Sequence, residues 1–158
     1  MWASCQIQKG GCAIPLPLKS GSPLAQILWL REFWGIYGAE YGFPPRLDAV
    51  GCHCYGVVNT EFSLWKCRRY IDDFVAFARE HGIPEVWVTE FAYCSPEFLV
   101  KMRAYYEAIP EVKRIAWFQV TYEGSEPWAP WLGCNSSLAD YETGELTELG
   151  NAYARSGW

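Results

Sequence analysis

From about residue 22 onward, the apolar positions of this chain alternate between two spacings. Intervals of three and four residues are typical of amphipathic helices, and short continuous apolar runs are typical of buried strands. Strands that alternate with helices through short joints predict a parallel sheet with right-handed crossovers. The predicted helices cover about 22–42, 63–82, 95–110 and 148–155, and the predicted strands cover about 47–55, 85–91 and 114–120.

Helix-capping residues set these predicted boundaries. Ser22 and Ser95 each precede a proline, which is a common way for a helix to begin. Ser63 and Thr147 are the predicted N-caps of the other two helices. Gly82 predicts a left-handed end of the second helix. Each predicted helix therefore starts with a hydroxyl that can accept a hydrogen bond from a free backbone amide.

The length of 158 residues suits one domain with a substantial core. The first 21 residues contain Gly10-Gly11 and Pro15-Leu16-Pro17, which predict irregular chain with room for one short strand. We therefore expect an irregular segment over 1–21 and a single α/β domain over 22–158.

Composition argues against several classes of partner. The net charge is −5 and no basic stripe accompanies the aromatic residues, so we expect no nucleic-acid partner. No apolar run reaches the length of a membrane span. Strand geometry would turn His53 away from the flanking Cys52 and Cys54, and the seven cysteines include no Cys-x-x-Cys pair. We therefore expect no metal site and no cofactor.

A carboxylate, that of Glu90, stands at the C-terminal tip of the apolar strand 85–91. Burying an unpaired carboxylate costs several kcal/mol, so this placement predicts a functional role. The preceding strand ends with His53 and Tyr55, which the two-residue period places on one face, and the next strand carries Trp117. Strand tips of a parallel sheet face the ligand crevice. These side chains therefore predict a polar pocket with an indole wall, which suits a sugar ring.

Aromatic residues make up 17% of the chain, and their planar faces can either pack a core or stack on sugars. Trp128 lies in a proline-containing loop after the third strand, where we expect its indole to contact a substrate. Glu123 precedes it in the same loop and is a candidate second carboxylate. A flexible loop seldom holds an acid in catalytic geometry, which weakens that assignment.

Four segments, 48–56, 83–91, 115–118 and 138–153, carry a resemblance to a known family. They resemble the last strands and the closing segment of retaining (β/α)8-barrel glycoside hydrolases, in particular the glycosyl hydrolase catalytic core group, which includes fungal cell-wall proteins and endo-β-1,3-glucanases. The likeness covers about residues 24 to 155 and implies a partial barrel of the last three to four β/α units that acts on β-glucan.

The resemblance also implies roles for individual residues. Glu90 matches the nucleophile of strand seven, and His53 and Tyr55 match the strand-six residues that bind the sugar and support it. Trp117 matches the aromatic platform of strand eight. The family's acid/base follows Asn at the tip of strand four, but this chain has no Asn-Glu pair. A retaining mechanism needs two carboxyls about 5–5.5 Å apart, so the second carboxyl has to come from elsewhere.

Three interpretations stay open at this point. The first is a hydrolase half whose acid/base comes from a complementing N-terminal half or another copy. The second is a non-catalytic half-barrel that binds an oligosaccharide or polysaccharide, and the third is an inactive remnant that forms a homo-oligomer. The first residues lack the pattern of a signal peptide, whereas the resemblance implies a family that is often secreted or associated with the cell wall.

Overall fold

The computed structural model describes residues 13–14, 23–123 and 134–156. Of the predicted irregular segment 1–21, it describes only two residues, which form a short strand. The strands are β1 (Ala13–Ile14), β2 (Ala49–Tyr55), β3 (Glu85–Ala92) and β4 (Val112–Trp117), and the helices are α1 (Pro23–Tyr41), α2 (Thr60–His81), α3 (Pro96–Glu107) and α4 (Glu148–Arg155).

The four strands form one sheet in the order β1-β2-β3-β4, and every neighbouring pair is parallel. Parallel neighbours require a crossover connection, which α1, α2 and α3 supply in turn. The predicted α/β class with a parallel sheet is therefore confirmed. The carboxyl ends of β2, β3 and β4 lie at one edge of this sheet.

Helices α2 and α3 cover the same face of the sheet. Cys54 and Phe91 are register partners on β2 and β3, so their side chains share a face. Cys54 is bonded to Cys67 of α2, and the ring of Phe91 packs edge-on against Tyr106 of α3 at 5.3 Å between centroids. Full burial of one large apolar side chain contributes about 1.5–3 kcal/mol, so each buried member of this layer stabilises the fold. Its fully buried members include Val50, Phe74, Phe77, Val86, Val88, Phe91, Phe98, Leu99, Met102 and Tyr106.

The start of α2 differs from the prediction. Asn59 is the N-cap, and its side-chain oxygen accepts a hydrogen bond from the Phe62 amide at 2.9 Å. Ser63 is instead buried in the first turn, where its hydroxyl donates to the carbonyl of Val57 and accepts from the Val57 amide. The prediction that Ser63 caps this helix was wrong because Asn59, four residues earlier, is an equally good cap.

The other described helix boundaries follow the sequence signals. Ser95 accepts a hydrogen bond from the Phe98 amide, and Thr147 accepts one from the Gly150 amide. Gly82 ends α2 with φ of 67°, in the left-handed region that glycine tolerates best. Ser22, the predicted cap of α1, lies outside the described residues.

Two disulfides link segments at the carboxyl ends of the strands to other parts of the chain. Cys54–Cys67 joins the end of β2 to α2, and Cys94–Cys134 joins the chain after β3 to the chain after β4. Within the described part of the chain, Cys52 is the free cysteine, and it is buried. None of the helices described here combines the length and apolar character needed to cross a bilayer.

Candidate active site

Strands β2 and β3 bring the predicted polar residues together at the carboxyl edge of the sheet. His53 pairs in register with Glu90, and Tyr55 follows two residues later on the same face. This face is opposite to the one that α2 and α3 cover. His53, Tyr55 and Glu90 therefore form one cluster, as the two-residue period and the strand tips predicted.

One extra residue in β3, Thr89, decides which face receives Glu90. Val88 points into the core, and a regular strand would point Glu90 the same way. The register instead passes from Cys52–Val88 directly to His53–Glu90, so Thr89 has no partner on β2. The Thr89 hydroxyl donates to the Cys52 carbonyl at 3.3 Å across this bulge. The β-bulge therefore turns Glu90 onto the open face of the sheet.

Two side chains of β2 contact one oxygen of the Glu90 carboxylate. The Tyr55 hydroxyl donates a hydrogen bond to Oε2, and Nδ1 of His53 lies 3.3 Å from the same atom. The side chain of Glu90 is 27% exposed and that of His53 is 11% exposed. Among the described residues, no hydrogen bond reaches Oε1 of Glu90. The carboxylate is thus held through one oxygen, and the other has no hydrogen-bond partner in the described part of the chain.

Burial shifts the pKa values of both side chains. Burial raises the pKa of Tyr55, and its hydrogen bond to Glu90 and the charge of that carboxylate raise it further. Burial lowers the pKa of His53, against an opposing effect of the Glu90 charge. Tyr55 is therefore a hydroxyl donor throughout the physiological range, and His53 is neutral at pH 7.

Trp117 lies on the opposite face from Glu90. The prediction that its indole forms a wall of the pocket was therefore wrong. It pairs in register with Phe91, and the two rings pack edge-on at 4.9 Å between centroids. Its Nε1 donates to the Ser136 carbonyl at 2.8 Å, and the side chain is buried. Trp117 is therefore a core residue at this end of the sheet.

Phe118, which the sequence reasoning did not single out, is the aromatic residue on the Glu90 side. Its ring lies edge-on to Tyr55, with 6.4 Å between centroids. Adjacent residues of an extended chain point to opposite faces, so only one of Trp117 and Phe118 can face the cluster. The register with β3 decides between them, and the sequence around Trp117 carries no signal for that register.

Trp128, the other predicted sugar-contacting residue, lies outside the described residues. Glu123 lies exposed beyond β4. No other carboxylate in the described part of the chain forms a hydrogen bond or ion pair with Glu90. Over the same residues, no group of three His, Cys, Asp or Glu side chains could hold a metal ion.

Gly56 fixes the backbone directly after Tyr55. Its amide donates to the Ala92 carbonyl at 2.8 Å, which continues the pairing of β2 with β3 beyond the strand ends. A Cβ at this position would stand 2.4 Å from the ring of Tyr93. Lys66 of α2 contacts the same backbone segment, because its Nζ donates to the Tyr55 carbonyl at 3.2 Å. The close approach at Gly56 therefore keeps Tyr55 in position, and sequence alone gave no sign of it.

The candidate site is therefore a carboxylate at the carboxyl edge of a parallel α/β sheet. A tyrosine and a histidine from the neighbouring strand contact it. The sequence matches the family model described as glycosyl hydrolase catalytic core over residues 6–153. The chain belongs to this glycosyl hydrolase catalytic core family. A search of curated proteins found no match to the sequence.

Solved structures with a similar fold are β-1,3-glucanases. The endo-β-1,3-glucanase of Amycolatopsis mediterranei (GH128, subgroup I), in complex with laminaritriose, has a TM-score of 0.63 at 20% identity, over 92% of this chain and 58% of that one. The exo-β-1,3-glucanase of Blastomyces gilchristii (GH128, subgroup III), in complex with glucose, has a TM-score of 0.56 at 22% identity, over 80% of this chain and 47% of that one. The present chain thus spans about half the length of these structures, and the likeness concerns the fold.

Proposed function

We propose that this chain is the part of a retaining β-1,3-glucan hydrolase that carries the nucleophile, Glu90. In this proposal its sheet and helices are the last three to four β/α units of a (β/α)8 barrel. Membership of the glycosyl hydrolase catalytic core family supports hydrolysis of glycosidic bonds. The similar structures are β-1,3-glucanases, one of them in complex with laminaritriose, which supports β-1,3-glucan as the substrate.

The observation that carries the proposal is the arrangement around the Glu90 carboxylate. Tyr55 and His53 both approach Oε2, so Oε1 is the oxygen free to attack. The hydrogen bond from Tyr55 and the contact with His53 fix the orientation of the carboxylate. A nucleophile needs this fixed orientation, together with the partial exposure that Glu90 has.

The proposed reaction forms and breaks one bond in each of two steps. Oε1 of Glu90 attacks the anomeric carbon and forms an ester, while the glycosidic C–O bond breaks and its electron pair leaves with the departing oxygen. A sugar leaving group takes a proton from a second carboxylic acid at this moment. Water then attacks the anomeric carbon and gives its proton to the second carboxylate, while the bond from that carbon to Oε1 breaks and the Glu90 carboxylate is restored.

The reaction also needs a second carboxyl group, which Glu90 does not supply. A complete barrel typically has about 250 residues, and this chain spans about half of the compared structures. We propose that the β/α units that complete the barrel supply the acid/base. Laminarin hydrolysis would then require those units, whereas formation of the glycosyl ester on Glu90 would not.

A dinitrophenyl β-laminarioside tests Glu90 without the acid, because dinitrophenolate leaves without taking a proton. We expect a burst of dinitrophenolate release, followed by slow turnover because hydrolysis of the glycosyl ester is slow. A laminarioside with the same leaving group, fluorinated beside the anomeric carbon, should add its sugar mass to the peptide that contains Glu90. The readouts are absorbance and mass spectrometry of the digested protein.

The Glu90→Gln variant is the control, because glutamine keeps the size of the side chain and removes the nucleophile. It should show neither burst nor labelled peptide while keeping the circular dichroism spectrum of the wild type. An equal burst in this variant, or a label on another residue, would contradict the assignment of Glu90.

Non-catalytic binding of β-glucan is a second candidate function. It is favoured by one observation, that Glu123, the candidate second carboxylate of this chain, lies exposed beyond β4. Titration with laminarin, followed by tryptophan fluorescence, separates the two functions. Saturable binding without reducing-sugar release, and without a burst from the dinitrophenyl substrate, would support binding alone.

The two disulfides support a location in an oxidising compartment, and we propose that the protein is secreted or associated with the cell wall. Thiol labelling of the denatured protein should leave both pairs unlabelled until a reductant is added. Labelling of Cys54 or Cys94 before reduction would argue against this location.

A further inference from the structure

Two exposed aromatic rings lie side by side on the outer side of α2. Phe62 and Trp65 are 43% and 58% exposed, and their ring centroids lie 5.6 Å apart. They stand about 140° and 160° around the helix from Cys67, since each residue advances about 100°. Cys67 is bonded to Cys54 of the sheet, so both rings point away from the core. Phe62 and Trp65 are called the aromatic pair below.

The helices on both sides of α2 are described, and the aromatic pair is exposed with both of them in place. On one side, Trp34 of α1 packs on Phe77 of α2 at 5.5 Å between centroids. On the other side, the Tyr105 hydroxyl of α3 donates a hydrogen bond to Asp72 of α2 at 2.8 Å. The exposure of the aromatic pair therefore comes from its outward direction and not from a position at the end of the sheet.

The aromatic pair lies at the same edge of the sheet as Glu90. Loop 56–59 joins the end of β2 to the start of α2, so the first turns of α2 stand at the carboxyl edge. Farther along the helix the outer side becomes charged, with Arg69, Asp72 and Asp73 exposed. An outward-facing indole does not pack into the core, and exposed apolar patches mark interaction sites. The aromatic pair therefore indicates a contact made near the Glu90 site.

Loop 56–59 carries a further exposed apolar side chain, that of Val58. It is 84% exposed, and its φ of 66° lies in the left-handed region, which a β-branched residue rarely adopts. The Ser63 hydroxyl binds both the amide and the carbonyl of Val57, at 2.8 and 2.7 Å, and the Asn59 amide donates to the same carbonyl. Such strain persists where surrounding contacts enforce it, and it clusters at ligand-binding sites. The loop thus holds Val58 out to solvent between β2 and the aromatic pair.

The size and chemistry of this surface fit a sugar ring. The planar face of an indole can stack on the apolar C–H face of a sugar. A stable protein interface buries about 800 Å² on each partner, whereas this apolar surface gives way to charged residues within the next turn of α2. A polysaccharide bound at Glu90 extends beyond that site along the same edge of the molecule. Its outer sugars are therefore the ligand that this position and chemistry favour.

We propose that the aromatic pair, together with Val58, forms a second binding surface for β-1,3-glucan. The surface holds a stretch of the polysaccharide that lies outside the site where Glu90 acts. The proposal rests on the proposed function for the identity of the polysaccharide.

Retention on insoluble β-1,3-glucan particles tests this surface. The Glu90→Gln protein serves as the parent, so that the particles are not consumed. Phe62→Ala/Trp65→Ala should raise the dissociation constant by at least about fivefold, because both stacking faces are lost. Trp65→Phe keeps a planar face at this position and should lose less. Both residues are exposed, so urea unfolding should give the midpoint of the parent.

Val58→Gly tests the loop. Glycine adopts a φ of 66° without strain, so this variant should unfold at a urea concentration no lower than the parent. It should nevertheless raise the dissociation constant by at least about twofold, because the apolar contact is lost. Unchanged retention would exclude Val58 from the surface.

The matched control is Phe43→Ala, which removes an aromatic side chain of similar exposure, 54%, at the opposite edge of the sheet before β2. It should be retained like the parent. Equal retention of the Phe62→Ala/Trp65→Ala protein and its parent would overturn the proposal, and so would an equal loss in Phe43→Ala. Retention on β-1,4-glucan particles that is as strong and depends equally on Trp65 would overturn the assignment to β-1,3-glucan.

Binding and chemistry fail separately in these experiments. The dinitrophenolate burst of the wild type reports Glu90, and retention of the Glu90→Gln protein reports the aromatic pair. A burst without any Trp65-dependent retention would overturn this surface and leave the role of Glu90 standing. Trp65-dependent retention without a burst would keep the surface and overturn the assignment of Glu90 as the nucleophile.

Discussion

At the scale of single residues, this site depends on two neutral side chains that approach one carboxylate oxygen. Tyr55 and His53 both approach Oε2 of Glu90, and burial keeps each of them uncharged at pH 7. The sequence predicted these three residues because strand tips and the two-residue period are local properties. It did not predict that Phe118 lies beside Tyr55. The register of β4 with β3 decides whether Trp117 or Phe118 faces the site.

Removing the Tyr55 hydroxyl should slow attack by Glu90. A hydrogen bond to a charged group contributes about 1.5–3 kcal/mol, so Tyr55→Phe should reduce the burst rate by roughly tenfold to a hundredfold. Stopped-flow absorbance with the dinitrophenyl laminarioside measures this rate. Tyr105→Phe is the matched control, since Tyr105 also donates to a carboxylate, that of Asp72, but between α2 and α3. Equal rates in both variants would contradict the role of Tyr55.

His53 should make the folded state less stable as the pH falls. Its pKa is lower in the folded protein than the ordinary value of 6.5, so the unfolded chain takes up the proton first. The contribution of His53 is fully present above pH 6.5 and is lost as the pH falls toward the folded pKa. Urea unfolding at pH 8 and pH 5 should show a smaller loss in His53→Gln than in the wild type. A loss of equal size would show that other groups cause it.

At the scale of elements, a single unpaired residue in β3 creates the site. The apolar pattern of β3 predicts the strand. Regular alternation along it would place Glu90 on the same face as Val86 and Val88. The bulge at Thr89 breaks this alternation, and Phe91 rather than Glu90 enters the core. A bulge depends on pairing with both neighbouring strands, so it is invisible in the sequence of β3 alone.

Deleting Thr89 should remove the bulge and leave Glu90 on the open face. Val88, Glu90 and Phe91 would then alternate directly opposite Cys52, His53 and Cys54, so Phe91 would stay in the core and the burst should persist. Thr89→Val keeps the bulge and removes only its hydrogen bond to Cys52, so it should cost about 1 kcal/mol. Stopped-flow absorbance with the dinitrophenyl laminarioside measures the burst, and urea unfolding measures the stability of both variants. Loss of the burst in a folded deletion variant would contradict the assigned register.

At the scale of the whole molecule, two disulfides join segments that are distant in the chain. Cys94–Cys134 spans 40 residues and joins the chain segments that follow β3 and β4, near the Glu90 cluster. Cys54–Cys67 spans only 13 residues within one β/α connection. The sequence showed seven cysteines but no pairing, because pairing depends on which strand ends become neighbours.

The longer disulfide loop should contribute more stability. Loop entropy in the unfolded chain gives about 4 kcal/mol for the Cys94–Cys134 loop and about 3 kcal/mol for the Cys54–Cys67 loop. Urea unfolding of Cys94→Ala/Cys134→Ala and Cys54→Ala/Cys67→Ala should therefore show the larger loss in the first variant. The reverse order would show that packing around Cys54, rather than loop entropy, dominates.

The sequence by itself determined the order of helices and strands, three of the described helix boundaries, and the presence of His53, Tyr55 and Glu90 at neighbouring strand ends. These features follow from periodicity and capping, which act over a few residues. The tertiary structure decided the bulge that turns Glu90, the burial of Trp117, the position of the half-buried Phe118 beside Tyr55 and the pairing of the cysteines. Each of these depends on register and packing between segments far apart in the chain, and no local pattern encodes them.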